Sequence, residues 1–563
     1  MTTAPPSPPP SPPSGNVADV LRSRVGDDRV ALRFEGESWT WHEYVRACAQ
    51  RAAYLRDHLP DGNPPHVGVL LENVPEFLMW LGATALTSTV LVGINPTRRG
   101  AELARDITHT DCQFIVTEER HLSLLDGLDL GDAQDKVLVV DDAESMAALA
   151  PYVDAPIPDG EVDARGIYNL LFTSGTSGAP KACVLSQARL FRSSSIMSAN
   201  IGLGPDDVIY MMMPLFHSNA IITAFCPWLI SGGTAVLRRR FSASGFLPDV
   251  REYGVTYFNY VGKPLSYILA TPEQPDDADN TIRIAFGNEA ADLDIERFGK
   301  RFGCPVIDGY GSTEGGANIS RSPEMPPGSL GMPAEGIVIL DPETMEERPR
   351  AKFDAEGRLL NPDECIGEIV NKNGAPGFEG YYKNDEANAA RIRNGWYWSG
   401  DLGYRDEDGW AYFGGRDFEW LRVDGENFAA APIERILARH HAVVLAAVYA
   451  VPDEEVGDQV MATLLVRPGT AFDPEDFDEF LDEQTDLGTK WSPRYVRVTE
   501  DMPVTESQKP MKRQLRRERW ETDEPVFWRP AKGEPLQAMT DADRASLRAE
   551  FDSRGRLTAL DAG

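Results

Sequence analysis

The residues with the most readable chemistry lie in one stretch, Leu170-Leu171-Phe172-Thr173-Ser174-Gly175-Thr176-Ser177-Gly178-Ala179-Pro180-Lys181. An apolar strand runs straight into a loop of hydroxyls and glycines that a lysine closes. Gly175 and Gly178 let successive backbone N–H groups turn toward one anion. Thr173, Ser174, Thr176 and Ser177 add donors and Lys181 adds charge, a set suited to wrapping a polyphosphate. The G-x-x-x-x-G-K-[ST] spacing of a Walker loop is absent. A plain Ser/Gly turn is the alternative reading of the stretch taken alone.

Such a loop needs a rigid support, and the surrounding pattern supplies one. A helical run from His42 to Leu59 leads to an apolar strand at Val67–Leu71, a second helix starts at Pro75, and a strand ends at Ile94-Asn95-Pro96. The alternation continues through Gln113–Val116, Lys136–Val140 and Val208–Met213. Short apolar runs between helical patterns predict a parallel, doubly wound α/β architecture. Beyond about residue 365 the pattern changes to short strands and tight turns. Trp398 to Arg416 reads as a hairpin that turns at Asp408-Gly409, and the paired glycines Gly414 and Gly415 suit a hinge. A helix near Pro432–His440, strands near Val443–Val451 and Met461–Val466, and a basic run from Lys509 to Arg519 follow. The predicted organisation is α/β, with a large multi-layer N-terminal domain of doubly wound sheets joined by a hinge to a small α+β C-terminal domain. The expected limits are a Pro-rich disordered tail over 1–15, the large domain over 16–415, the mobile domain over 416–535 and a terminal helix or extension over 536–563.

Composition narrows the functional classes. The formal charge is −33, from 55 basic and 88 acidic residues, which argues against a nucleic-acid surface because phosphate backbones demand clustered Lys and Arg. Phosphate ligands would then need positive charge concentrated inside a cleft. Six cysteines with no C-x-x-C pair point to reduced, buried thiols in a cytoplasmic protein. The first residues, MTTAPPSPPPSPPS, lack the basic start and apolar run of a signal peptide. Two uncharged stretches, Phe77 to Asn95 and Ile209 to Leu237, contain polar or helix-breaking residues and read as buried core rather than membrane spans.

Further motifs stand in a fixed order: Pro214-Leu215-Phe216-His217, Gly309-Tyr310-Gly311-Ser312-Thr313-Glu314, Trp398-Ser399-Gly400-Asp401-Leu402, Gly415-Arg416, Gly425-Glu426-Asn427, and Pro503-Val504-Thr505 through Lys509. With the hydroxyl and glycine loop, this set resembles the adenylate-forming superfamily of acyl-CoA synthetases, luciferases and peptide-synthetase adenylation domains, over roughly residues 30 to 520. Within it the chain is most similar to very-long-chain synthetases and fatty acid transport proteins. The shared features include Phe241-Ser242-Ala243-Ser244, Tyr260-Val261-Gly262, Gly287-Asn288, Arg422, Lys512 and the extension past Arg519.

The resemblance implies an acid–thiol ligase that uses ATP, Mg2+ and coenzyme A. A carboxylate attacking the α-phosphate brings two anions together, and the enzyme must neutralise both. Glu314 is then the magnesium ligand, Thr313 lies beside the α-phosphate, and Gly311 and Ser312 belong to the ATP- and AMP-binding residues. Tyr310 stacks on adenine opposite Gly287, Asn288 and Glu289, while Asp401 accepts from the ribose hydroxyls and Arg416 holds ribose or phosphate. Lys509 is the mobile catalytic lysine, His217 marks the junction of acyl and CoA channels, and Gly425, Glu426 and Asn427 line the pantetheine channel. Each residue has a plainer reading: Tyr310 as core, Asp401 as a turn residue, Glu314 as a helix N-terminal carboxylate, His217 as a satisfied buried group, Lys509 as part of a solvated face. Ala182, Gln187, Gln508 and Phe418 depart from the family pattern.

The expected substrate is a long-chain or very-long-chain fatty acid, with a bulky acid such as a steroid side-chain carboxylate as the alternative. The apolar run Val255–Leu269, with Phe258, Tyr260, Leu265 and Ile268, is the expected acyl wall. A membrane-associated fatty acid carrier with secondary ligase activity, and an adenylation domain serving a carrier protein, are the competing readings. Peripheral membrane contact and oligomeric state stay open at this level.

Overall fold

A computed structural model of the 563-residue chain describes residues 15–560 apart from 61, 174–180, 323, 327, 355–358, 417–419, 424–425, 455–457, 485–486, 488–489, 506–508, 532 and 558–559. The expected N-terminal tail, Ser174–Gly178 of the loop, Phe418, Gly425 and Gln508 therefore lie outside the described residues. The chain forms two compact units. One comprises Met1–Tyr260, Asp279–Phe286 and Gly377–Asp385; the other comprises Val261–Ala278, Gly287–Pro376 and Glu386–Gly563.

The first unit contains two sheets. Strands β1 (Val30–Phe34) and β2 (Glu37–Thr40) form a hairpin, followed by β3 (His66–Leu70), β4 (Val90–Gly93), β5 (Cys112–Thr117), β6 (Val137–Val139), β7 (Ile167–Thr173) and β8 (Lys181–Ser186). Strands β3 to β8 lie in the order β6-β5-β3-β4-β7-β8, parallel except for β8. In the other sheet β9 (Val208–Met211) lies between β10 (Thr234–Leu237) and β11 (Tyr257–Val261), and β10 runs parallel to β1.

Local chemistry explains the crossovers. The helix Trp41–His58 begins with a capping box, in which Thr40 accepts from the Glu43 N–H and Glu43 accepts from the Thr40 N–H, satisfying two of the donors that a helix start leaves open. The helix Pro75–Thr87 starts on a proline and is buried from Phe77 to Leu86. It accounts for the first uncharged stretch as core, and among the described residues no helix is long and apolar enough to cross a membrane. All six cysteines are buried and none is in a disulfide.

The second unit begins at the end of β11 and takes in the last residues of β12 (Ile284–Asn288), then β13 (Val306–Tyr310) paired antiparallel with β14 (Ile319–Ser320). An antiparallel sheet follows, built from β15 (Ser329–Gly331), β16 (Ile337–Leu340), β17 (Gly367–Asn371), β18 (Ile392–Arg393), β19 (Trp396–Arg405) and β20 (Ala411–Arg416). The β19–β20 hairpin turns at Asp408-Gly409 as its sequence predicts; Gly409 takes φ +97, which suits a residue without Cβ.

The C-terminal part holds β21 (Trp420–Val423), β22 (Glu426–Ala429), β23 (Val443–Pro452), β24 (Asp458–Val466), β25 (Tyr495–Thr499), β26 (Val526–Trp528) and β27 (Gln537–Ala538). Alternation along β23 feeds two cores. Ala446, Val448 and Ala450 pack with Ile433, Leu437 and Phe477 on one face. Leu445, Ala447, Tyr449 and Val451 pack with Tyr495, Trp520 and Phe551 on the other. Phe551 comes from the helix Asp541–Ser553, so the chain past Arg519 completes a core instead of trailing from it.

Candidate active site

Two regions carry the residues singled out by sequence. In the first unit, β7 and β8 pair with Thr173 opposite Lys181, so the two ends of the loop are held across from each other. Leu170 and Leu171 are fully buried and anchor the approach. The Lys181 ammonium lies 5.4 Å from the centroid of the Tyr381 ring, and the Glu379 carboxylate accepts from both the Ser186 N–H and hydroxyl at 2.6 Å. Gln187, a departure from the family pattern, ties segments of the fold together, since its amide donates to Ala85 O at 2.9 Å and accepts from Ala18 N at 3.1 Å.

His217 sits at the mouth of a helical segment. Its N–H donates to Pro214 O at 3.0 Å, its ring lies 4.4 Å from that of Phe216, and the helix that follows contains a π-turn over Ile221–Phe225. Asn73 pins this turn by donating to Met213 O and accepting from Leu215 N, both at 2.9 Å. A π-turn is a departure from helical geometry that recurs at functional sites. Phe258, by contrast, packs 5.0 Å from Phe246 and is fully buried, which makes it core as well as expected acyl wall.

The second unit assembles the other groups from distant segments. The Tyr310 hydroxyl donates to Asp401 Oδ2 at 2.7 Å. Burial first, then the Asp401 carboxylate, pushes the Tyr310 phenol well above its ordinary value, so it stays a donor. Asp401 is only 6% exposed, and its N–H donates to Ser399 Oγ at 3.1 Å. The turn before it is clamped from two sides. The Gly400 N–H donates to Glu368 Oε1 at 2.7 Å, and Arg391 donates to the carbonyls of Trp398 and Ser399. Gly400 takes φ +73, and a Cβ there would meet the Arg391 guanidinium. Burial raises the Glu368 carboxyl above its usual range, an effect opposed by the Gly400 N–H and by Arg393, whose guanidinium lies 2.9 Å away.

Glu314 is buried, and its charge is the second cause, after burial, that raises the Tyr397 phenol. Gly316 lies so close to the Tyr397 ring that a Cβ would fall 2.4 Å from its carbons, and Asn371 donates to Gly316 O at 2.8 Å. Ser312 is exposed, whereas Thr313 and Gly311 are half-buried. At the end of β12, Asn288 donates to Gly309 O at 2.6 Å, which binds residues 287–289 to the strand that carries Tyr310. Glu289 Oε1 accepts from Lys509 Nζ at 2.7 Å. Arg416 pairs with Asp401 through the β19–β20 register, and Asn427 with Arg422 through β21–β22; the side chains of Arg416, Glu426 and Asn427 lie outside the described part.

The second unit thus brings together Tyr310, Asp401, Gly287 to Glu289 and Lys509, with Glu314 on the same turn as Tyr310. Glu368, Arg391 and Tyr397 were missed by sequence reasoning, and Ser399 was noted only as part of the Trp398–Leu402 motif. Glu368 did leave a signal, a single acid inside the apolar run Ile366 to Val370.

An AMP-binding enzyme profile matches residues 22–382, and an AMP-binding enzyme C-terminal domain profile matches residues 432–509. The chain belongs to the AMP-binding enzyme family. Among the most similar relatives of this AMP-binding enzyme is a steroid-22-oyl-CoA synthetase of Rhodococcus jostii (strain RHA1), 52% identical over 97% of this chain and 98% of that protein. Another is the medium/long-chain-fatty-acid–CoA ligase FadD17 of Mycobacterium marinum (strain ATCC BAA-535 / M), 46% identical over 90% of this chain and 96% of that protein. The solved structure of an anthranilate CoA ligase in complex with anthranoyl-AMP matches with a TM-score of 0.78 at 20% identity, over 89% of this chain and 97% of that one. The last likeness establishes the fold, mixed α/β with several sheets, and the two profiles fall on a large N-terminal and a small C-terminal domain. The enzyme is an AMP-forming acid–CoA ligase, with a carboxylic acid, ATP and coenzyme A as its small-molecule substrates.

Proposed function

We propose that this ligase converts a steroid side-chain carboxylate to its coenzyme A thioester by way of the acyl-adenylate. The observation that carries the reading is the 52% identity, spanning nearly the full length of both chains, with a protein named for that activity. It favours the bulky-acid alternative over the long-chain fatty acid reading drawn first from sequence. The 46% relative named for medium and long-chain fatty acids keeps an acyl chain as the second reading.

On this reading the 173–178 loop and Lys181 take the phosphates, Tyr310 and residues 287–289 enclose adenine, and Asp401 with Arg416 holds the ribose. Asp401 Oδ2 already accepts from Tyr310, so the carboxylate is oriented before nucleotide arrives, and as an acceptor-only group it would take the ribose hydroxyls as donors. Lys509 supplies the positive charge for the first half-reaction. His217 marks the acyl and CoA junction, and Gly425, Glu426 and Asn427 line the pantetheine path. Residues 16–415 and 416–535 act as the two arms about a hinge at 415–418, which lets Lys509 withdraw before the thiol approaches.

Glu314 with the neighbouring Thr313 hydroxyl is an all-oxygen donor set that suits a hard cation, so these residues fit magnesium. When bound, the ion would offset phosphate charge. Substituting Glu314→Gln keeps the shape and removes the charge, and is expected to abolish magnesium-dependent adenylation in a folded protein.

A panel of carboxylates assayed for pyrophosphate release tests the substrate reading. Steroid side-chain acids should give the highest kcat/KM. Preference for acids of about two to four carbons would contradict both readings, since each buried methylene should add about 0.8 kcal/mol of binding.

A further inference from the structure

We propose that Glu289 is a positioning residue that holds the Lys509 ammonium before substrate arrives, presenting it with the same kind of anion that the acid and the nucleotide later bring. The proposal rests on the ligase reading for the role of Lys509, and on three observations for the holding.

The first is the contact, with Lys509 Nζ 2.7 Å from Glu289 Oε1. The second is the way both backbones are pinned while both side chains keep reach. Thr505 brackets Lys509, donating its N–H to Lys509 O at 2.8 Å and accepting from the Lys509 N–H at 3.1 Å. On either side of Glu289, Asn288 donates to Gly309 O at 2.6 Å and the Ala290 N–H donates to Asp308 Oδ2 at 3.1 Å. Between those anchors Glu289 takes φ +67, a left-handed conformation that is strained for a residue with a Cβ. Strain of this kind persists where surrounding structure over-determines it, and it clusters at ligand clamps and switches.

The third observation is charge matching. Asp292 and Asp308 near this strand end both pair with Arg321, and the Glu289 carboxylate pairs with Lys509. The pair is open to water, with side chains 38% exposed for Lys509 and 45% for Glu289. Exposed pairs contribute at most about 1 kcal/mol, so the contact is strong enough to bias one rotamer and weak enough for a polyphosphate to displace it. Lys509 would then pass from a carboxylate on the protein to the carboxylate and α-phosphate of the reactants, and return to it only after the thioester has left and the arms have swung back.

The test is amine acylation of the full-length, ligand-free protein with acetic anhydride, followed by peptide mass spectrometry. In Glu289→Gln, Lys509 should label about three- to fivefold faster than in the unsubstituted protein, the ratio set by an exposed pair. Salt at about 0.5 M should narrow the difference by screening. Lys383, which pairs with Asp111 in the first unit, is the internal reference and should label equally in both. Glu289→Asn, which tolerates the left-handed backbone, should reproduce the rise and guards against a local distortion in the glutamine variant. In turnover, Glu289→Gln should lower the KM for ATP, because the nucleotide no longer displaces a competitor. Equal Lys509 labelling across all three proteins overturns the proposal, as does a raised KM with unchanged labelling, which would make Glu289 part of the adenine wall alone. Labelling needs no turnover, so a mistaken substrate assignment would leave it intact.

Discussion

The β7–β8 edge and the Tyr310–Asp401 cluster reach chemical function by opposite routes. At the first, the candidate groups are consecutive in the chain, and one strand pairing sets Thr173 opposite Lys181. At the second, the hydroxyl and carboxylate that meet at 2.7 Å are 91 residues apart, and the lysine and carboxylate that meet at the same distance are 220 apart. A contiguous phosphate loop can work through backbone N–H groups that almost any residue supplies, so its signature is glycine and hydroxyl spacing. A cluster built from separated side chains depends on sheets being in register, and one substitution disturbs several partners.

The largest expected effect comes from removing the charge at the far end of the cluster. Lys509→Ala should slow acyl-adenylate formation by about 100- to 1,000-fold, the scale for losing one transition-state electrostatic group. The same variant should still convert supplied acyl-adenylate and coenzyme A to thioester. Single-turnover measurement of each half-reaction checks this, and equal losses in both would make Lys509 structural or shared.

A smaller effect separates the two regions directly. Asp401→Asn should raise the KM for ATP about tenfold, since a charged hydrogen bond contributes roughly 1.5–3 kcal/mol and the amide keeps part of it. Combined with Tyr310→Phe it should show coupling of about 0.5–3 kcal/mol, because the two groups touch, whereas combined with Lys181→Met the losses should add. A double-mutant cycle on ATP binding checks both. Coupling with Lys181 and none with Tyr310 would invert the comparison.

The smallest effect is on stability and involves neither region's chemistry. Burial lowers the pKa of His66, His121 and His440 below the ordinary 6.5, with His441 adding to the effect at His440. The unfolded chain therefore binds protons that the folded chain refuses as pH falls below about 6.5, and stability declines in that direction. Thermal unfolding should show a lower midpoint at pH 5.5 than at pH 7.5; a higher one would mean that the three rings are protonated in the fold.

The same contrast governs what was legible in the chain itself. The alternation of apolar runs and helical patterns placed β3, β5 and β9 to within a residue or two, because a strand buried on both faces has to be apolar throughout. The Asp408-Gly409 turn announced its hairpin. Tyr310, Asp401 and Lys509 were picked out by resemblance, but nothing local shows that Tyr310 donates to Asp401 or that Lys509 rests on Glu289. Glu368 and Arg391 were overlooked because they act on a backbone turn 32 and 8 residues away in sequence, and a lone charged residue in a strand or helix reads as a solvated face until its partner is seen.

On the proposed function this chain activates a steroid side-chain acid. The most direct measurement offers the enzyme ATP, coenzyme A and an equimolar mixture of a steroid side-chain carboxylate and a long-chain fatty acid, and quantifies the two adenylates and thioesters by mass spectrometry at early times. Steroid adenylate followed by steroid thioester should appear in clear excess. Predominant fatty acyl products would contradict the claim and return the enzyme to the fatty acid–CoA ligases.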